Sequence, residues 1–301
     1  MMISLYKNAS IRMTLEKKYL KLSDLATEHI KRKKDAHKGS HGSLVVIGGQ
    51  DGMLGALLLA TRTALLCGAG RTYACAMASN VAPSVDIMYP EVMYRSFDKL
   101  PELASTIDAY VIGPGLGQSA QAIAWIMYCL QQPKPLLLDA DALNLLAVHT
   151  FLAEAIKLRQ APTIITPHPG EASRLLNTDI THIQNNRIAS VLALAKQVHG
   201  ICVLKGAETI CADADGHYWT NPTGNPGLAS GGTGDVLSGL IGSLLAQGMP
   251  PIEAVKLGVY VHGAAADALV ASGTGPIGLT ASEVALKARQ LLNIWCENTS
   301  I

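Results

Sequence analysis

Aromatic side chains make up only 5% of this 301-residue chain, too few for the stacked platforms that grip single-stranded nucleic acid. Charge of one sign is also missing: 24 Lys and Arg face 23 Asp and Glu, a formal net charge of +1. That balance excludes a strongly basic surface, and with it nucleic acid or an anionic membrane face as an expected partner. The six cysteines make no Cys-x-x-Cys pair, so zinc has no paired ligands. Cys67 and Cys202 sit in the apolar runs Leu65-Leu66-Cys67 and Ile201-Cys202-Val203, which read as small buried side chains in a reducing compartment. Residues 1–21 are broken up by Lys7, Arg12, Glu16, Lys17 and Lys18, so a secretory signal is not expected. No uninterrupted apolar run reaches the ~18 residues of a membrane span. A cytoplasmic location is the expectation.

What the sequence does hold is apolar material and glycine. Hydrophobic residues make 49% and charged residues 16%, a composition that supports a core and excludes a disordered chain. Residues 1–35 stand apart: they are charged, lack glycine and end in Lys31-Arg32-Lys33-Lys34, which reads as a solvated helix and linker ahead of one domain over residues 36–297. Beyond Gly39, short apolar runs alternate with amphipathic stretches. Leu44–Ile47, Thr72–Ala76, Ala109–Ile112, Leu136–Leu138, Thr163–Thr166 and Ile201–Leu204 read as strands. They are apolar on both faces, as expected of a mainly parallel sheet covered by helices on each side: a three-layer α/β/α fold. Residues 54–67 read as a helix, Ala122 to Leu130 and Ile188 to Val198 carry helical spacing, and Ser119 serves as an N-cap with Pro133 and Gly200 as stops. Asp215-Gly216 between two short runs predicts a hairpin, so the sheet is expected to become mixed at one side.

Polar or glycine-rich residues follow nearly every predicted strand: Gly48-Gly49, Gly113-Pro114-Gly115-Leu116-Gly117, Asp139-Ala140-Asp141, Thr166-Pro167-His168 and Lys205-Gly206. Open α/β sheets bind ligands outside the carboxyl ends of their strands, so five loops should converge on one cleft. Two familiar nucleotide motifs are missing. There is no Gly-x-x-x-x-Gly-Lys-Ser/Thr, and the Gly113-x-Gly115-x-Gly117 loop has Gln118 where a dinucleotide fingerprint needs glycine.

The richest stretch runs from Thr220 to Asp235 and leads into a helix with Val236, Leu237, Leu240, Ile241, Leu244 and Leu245 on one face. Gly231-Gly232-Thr233-Gly234 therefore lies at a helix N-terminus, where free N–H groups and the dipole favour an anion. Asp235 sits in the first turn beside that anion. A carboxylate there can serve as a simple cap. The glycines already shape the turn, so it reads better as a base that activates a hydroxyl to attack phosphorus.

Gly231-Gly232-Thr233-Gly234-Asp235-Val236-Leu237-Ser238-Gly239 resembles the signature of the nucleotide-dependent NAD(P)H-hydrate dehydratases, a branch of the ribokinase-like superfamily. Other elements agree in order. They are Lys38-Gly39-Ser40-His41-Gly42, Gly55-Ala56, Leu138-Asp139-Ala140-Asp141, Thr166-Pro167-His168-Pro169-Gly170-Glu171, Lys205-Gly206-Ala207-Glu208-Thr209 and Thr223-Gly224-Asn225-Pro226-Gly227. The resemblance implies a ribokinase-like fold and a repair lyase. It would return the S epimer of NADH-hydrate or NADPH-hydrate to the reduced cofactor at the expense of ADP, giving AMP and phosphate, with Mg2+ neutralising the transferred charge. It further implies a homotetramer. Only about 35 residues precede the match, so a separate NAD(P)H-hydrate epimerase is the expected companion.

By the same resemblance, Asp235 is the base, and Gly232, Thr233 and Gly234 form the anion hole. Ala56, Gly113, Gly115, Gly117, His168 and Asn225, with Asp235, would meet the hydrate. Lys205, Gly206, Ala207, Glu208, Thr209 and Gly234 would meet the nucleotide, and Glu171 is the candidate Mg2+ ligand. Asp139 and Asp141 read as structural acceptors. Two rivals remain at this level: a kinase of the same fold that releases a phosphorylated small alcohol, and a nucleotide-binding module without catalysis.

Overall fold

A computed structural model describes residues 17–78 and 85–298. A nine-stranded sheet forms the middle layer, and the chain enters it near the centre. β1 (Ser43–Gly48), β2 (Arg71–Ala76) and β3 (Met93–Tyr94) step outward to one edge. β4 (Ala109–Ile112) then pairs with the other side of β1, followed by β5 (Leu136–Leu138), β6 (Thr163–Ile165) and β7 (Ile201–Leu204), all parallel. β8 (Ile210–Ala212) and β9 (Tyr218–Thr220) add antiparallel strands, so the hairpin expected at Asp215-Gly216 is present and the sheet is mixed on that side.

Helices cover both faces. α1 (Leu54–Leu66) follows β1, the single turn α2 (Leu100–Leu103) precedes β4, and α3 (Ala120–Gln131) joins β4 to β5. α4 (Asp141–Val148) and α5 (Thr150–Lys157) lead to β6; α6 (Pro169–Leu175), α7 (Ile180–Asn185) and α8 (Arg187–Gln197) lead to β7. α9 (Thr233–Ala246), α10 (Pro251–Ala271) and α11 (Ala281–Asn298) close the chain. Ser119 caps α3 as expected, its hydroxyl accepting from Ala122 N–H at 3.1 Å.

Alternate strand residues feed separate cores, as the two-residue period of a strand requires. Leu44 and Val46 join Val111, Leu137 and Val203 under α1, α9, α10 and α11. Val45 and Ile47 join Tyr110, Ile112 and Leu138 under α3, α4, α5 and α8. α9 presses closest of all. A Cβ at Gly239 would lie 2.1 Å from the Ala60 carbonyl oxygen of α1, and one at Gly242 2.5 Å from Val111. By length and composition α10 is apolar enough to cross a membrane, yet it packs within the core against α9 and α11. Cys67, Cys75, Cys129, Cys202 and Cys211 are buried, as read from their neighbours.

The N-terminal segment departs from expectation. Residues 1–16 lie outside the described residues, but residues 17–35 hold two 3-10 turns, Leu22–Asp24 and Thr27–Ile30, rather than a solvated helix. Leu20 and Leu25 are buried in the core on the α9 side, and Tyr19 forms a parallel bridge with Thr220 of β9. Two leucines five apart among charges give no helical stripe; their partners lie some 200 residues away. Lys31 to Lys34 are exposed, as their charge run implies.

Candidate active site

The sheet reverses its strand order between β1 and β4, and the crevice at that switch point is where an open α/β sheet takes a ligand. Glycine lets backbone meet backbone there. A Cβ at Gly48 would lie 2.0 Å from Pro114 O, and one at Gly113 1.8 Å from Asp139 O. Gly115 approaches Met53 O and the Ala56 methyl, 2.7 and 3.3 Å from where its own Cβ would be. Gly117 N–H donates to the Asp141 carboxylate at 2.9 Å. Ala56, Gly113, Gly115 and Gly117 are thus gathered along one rim. Asp141 acts as the structural acceptor the sequence implied.

α9 opens toward this rim. Gly232 takes the left-handed conformation (φ +87°), and the helix begins at Thr233, before Asp235 rather than after it. Thr233 and Gly234 therefore belong to the first turn, whose amides have no partner within the helix. The Thr233 hydroxyl is committed elsewhere, donating to Leu228 O at 2.8 Å and Ser230 O at 3.0 Å, so this residue offers an anion only its amide, which makes a long 3.5 Å hydrogen bond to Ser230 O. Buried His262 of α10 lies with Nε2 2.9 Å from Thr233 O, and burial pushes its pKa down to about 4. It braces the helix mouth as a neutral ring.

Lys205 ends β7 and reaches inward. Its Nζ lies 2.8 Å from Asp139 Oδ1 and 3.9 Å from Glu171 Oε2, and a Cβ at Gly234 would sit 3.5 Å from it. Ser238 of α9 donates to Asp139 Oδ2 at 2.7 Å. Burial alone would raise the Asp139 pKa, but Lys205 and the hydrogen bonds from Lys205, Ser238 and Thr166 outweigh it and hold Asp139 ionised. Among the described residues, Asp235 has no such set of donors. Burial, then the Asp139 charge, raise its pKa to about 7, against an opposing pull from Lys205. A carboxyl poised near neutral pH, beside a cation and free amides, suits proton abstraction during phosphoryl transfer.

A cleft of about 540 Å3 adjoins the α9 mouth. Lys205, Gly206, Ala207, Glu208 and Thr209 form one wall, Asn221 to Pro226 another, and Gly234, Leu237, His262 and Gly263 line it from the helices. Asn225, expected to meet the hydrate, lines this cleft. Its Nδ2 donates to Asp267 Oδ1 at 2.9 Å and its Oδ1 accepts from Gly227 N–H, so the side chain shapes the loop. Asp267 also accepts from Gly224 N–H at 2.8 Å, and Arg187 donates to the carbonyls of Leu204, Lys205 and Glu208. Sequence reasoning missed Asp267, Arg187 and His262. Asp267 and His262 lie on a helix that follows the loops they hold, Arg187 begins the helix before β7, and no local pattern marks any of them.

His168 and Glu171 cap α6 reciprocally. His168 Nδ1 accepts from Gly170 N–H at 2.9 Å, while His168 N–H donates to Glu171 Oε2 at 2.7 Å. The ring proton therefore sits on Nε2, 3.3 Å from Glu171 Oε1 on a half-exposed side chain. Burial lowers the His168 pKa, so the ring is neutral near pH 7. Both Glu171 oxygens thus face donors and the Lys205 ammonium stands beside them. Burial, with Asp139, also raises the Glu171 pKa to about 7. Glu171, the expected Mg2+ ligand, thus stands among donors, and a cation at its Oε1 would meet the His168 Nε2 that now lies 3.3 Å away.

Comparison with known proteins converges on one family. The profile described as NAD(P)H-hydrate dehydratase matches residues 44–287. The chain is 41% identical over 266 residues to the ADP-dependent (S)-NAD(P)H-hydrate dehydratase of Neisseria meningitidis, covering 87% of this chain and 88% of that one. It is also 41% identical to a bifunctional NAD(P)H-hydrate repair enzyme of Coxiella burnetii, but covers only 53% of that longer protein. Among solved structures, the ADP/ATP-dependent NAD(P)H-hydrate dehydratase of Bacillus subtilis, co-crystallised with ATP and Mg2+, superposes with a TM-score of 0.80. There the identity is 31%, over 93% of this chain and 99% of the other.

Proposed function

The chain belongs to the NAD(P)H-hydrate dehydratase family, and from that premise we propose that Asp235 and the α9 mouth run an ADP-dependent dehydration of the S epimer of NAD(P)H-hydrate. ADP lies in the cleft between residues 205–209 and 221–226, with its terminal phosphate at the amides of Gly232, Thr233 and Gly234. The hydrate enters over Ala56 and the Gly113–Gly117 loop. Asp235 takes the proton from its C6 hydroxyl as that oxygen attacks the terminal phosphorus, and AMP departs. Hydroxide is a poor leaving group near neutral pH, whereas phosphate is a good one. The nitrogen lone pair of the nicotinamide ring expels it, and loss of the C5 proton completes the double bond. The products are AMP, phosphate and NADH or NADPH.

Lys205 stands where negative charge accumulates on the migrating group. Mg2+, if carried on the nucleotide's phosphates, supplies further neutralisation. The bifunctional relatives support pairing with an epimerase activity. The observation that carries the reading is the Asp235 carboxyl in the first turn of α9, next in sequence to the Gly234 that lines the cleft with Lys205, with its pKa raised to about 7 by burial and the Asp139 charge. The test is incubation with ADP and NADH-hydrate. Recovery of reduced-nicotinamide absorbance with equimolar AMP is expected; a stable phosphorylated product would make the protein a kinase, and nucleotide binding without turnover would make it a binding module.

A further inference from the structure

The 205–209 wall of the nucleotide cleft is a strained loop. Glu208 has φ +52°, a left-handed conformation that is unfavourable for a non-glycine residue, so something must hold it. From beneath, Arg187 grips the loop carbonyls, 3.1 Å from Leu204 O and 3.4 Å from Glu208 O. From outside, the Glu208 carboxylate is gripped by the N-terminal segment. Tyr19 Oη donates to Oε1 at 2.7 Å and the Lys17 ammonium pairs with Oε2.

That segment is itself fixed. Tyr19 bridges Thr220 in parallel, Leu20 N–H donates to Thr220 O at 2.9 Å, and Thr220 N–H donates to Lys18 O at 2.7 Å. The Leu20 side chain is 2% exposed. Thr220 runs straight into Asn221, the start of the other cleft wall, and Asn221 N–H donates to Thr209 O at 2.8 Å. One short strap therefore reaches both walls, one through backbone at Thr220 and the other through a side chain at Glu208.

We propose that Tyr19 and Lys17 are positioning residues of the nucleotide cleft, acting through Glu208 to hold its 205–209 wall in the binding conformation; the proposal rests on the nucleotide reading of that cleft. Tyr19 holds the carboxylate by a directed hydrogen bond and Lys17 by charge, so their loss is felt in nucleotide affinity and not in the chemical step.

The experiment is calorimetric titration of the full chain with ADP, joined to steady-state kinetics. Tyr19→Phe keeps the ring and removes the hydroxyl. Its ADP Kd is expected to rise about 3- to 10-fold, while kcat at saturating ADP and KM for NADH-hydrate stay within about twofold. Lys17→Ala is expected to act in the same direction, and less as salt is added. In a Glu208→Ala background, Tyr19→Phe is expected to add nothing, because the pair then shares no contact. An unchanged Kd for Tyr19→Phe, or the same shift with Glu208 already removed, overturns the proposal while leaving the nucleotide site intact. Absence of ADP binding by the wild-type chain sinks the nucleotide reading itself.

Discussion

Asp235 and Lys205 are two residues with opposed energetic roles. Asp235 must be ionised to take a proton, and its pKa is raised to about 7, so kcat is expected to rise with pH through about 7 and level off above it. Asp235→Asn should lower kcat about 100- to 10,000-fold and abolish that pH step while ADP binding persists. Stability should move the other way. Asp235 and Glu171 both ionise less readily in the fold than in the unfolded chain. The stability they contribute is therefore complete at pH values below their unfolded pKa and lost as pH rises through about 7. Asp235→Asn is accordingly expected to melt above the wild type at pH 8, with the gap shrinking toward pH 5 in thermal scans. Lys205 compensates Asp139, which is 1% exposed. Lys205→Met leaves that charge buried with too few partners and should cost about 3–5 kcal/mol in urea unfolding, much of it recovered in a double variant with Asp139→Asn.

Among the elements, the loop before α9 depends on a carboxylate carried by α10. Asp267 binds both Gly224 N–H and Asn225 Nδ2, so Asp267→Ala releases two groups of the 221–226 wall. Calorimetry should then find ADP binding weaker by about tenfold, with KM for the hydrate unmoved. The elements themselves were legible in the sequence. β1, β4, β5 and β7 lie in continuous apolar runs that only a doubly covered sheet tolerates, and Asp215-Gly216 marks a turn by its own chemistry. The loops at the strand ends, and Asp235 in a first helical turn, followed from the same punctuation. Asp267 and His262 were not legible because they interrupt an apolar helix singly, and which loop they face depends on how α10 lies against α9. Leu20 and Leu25 escaped for a similar reason: a strap has no period.

For the whole molecule, the sheet divides two cores and leaves its chemistry along one edge, where loops from β1, β4, β5, β6 and β7 converge. The ionised Asp139 there is met from within the chain by Lys205, while burial raises the pKa of Glu171 and Asp235 toward their neutral forms. Chelation of divalent ions is therefore expected to stop turnover with ADP without shifting the melting curve, and a drop in melting temperature would mean that a cation is built into the fold. The strap at Tyr19 also covers the outer edge of β9 at Thr220, at the end of the sheet where backbone donors and acceptors would otherwise lie open.

The contact of Gly239 with Ala60 has a reach beyond packing. Ala60 lies four residues past Ala56, and Gly239 four past Asp235, about one helical turn in each case. The gap between acceptor rim and base is thus gauged from below by a single missing methyl group. Any larger side chain at 239 would act as a wedge, widening the mouth above it and lengthening the journey asked of the phosphate, though no group that handles the reaction had been substituted.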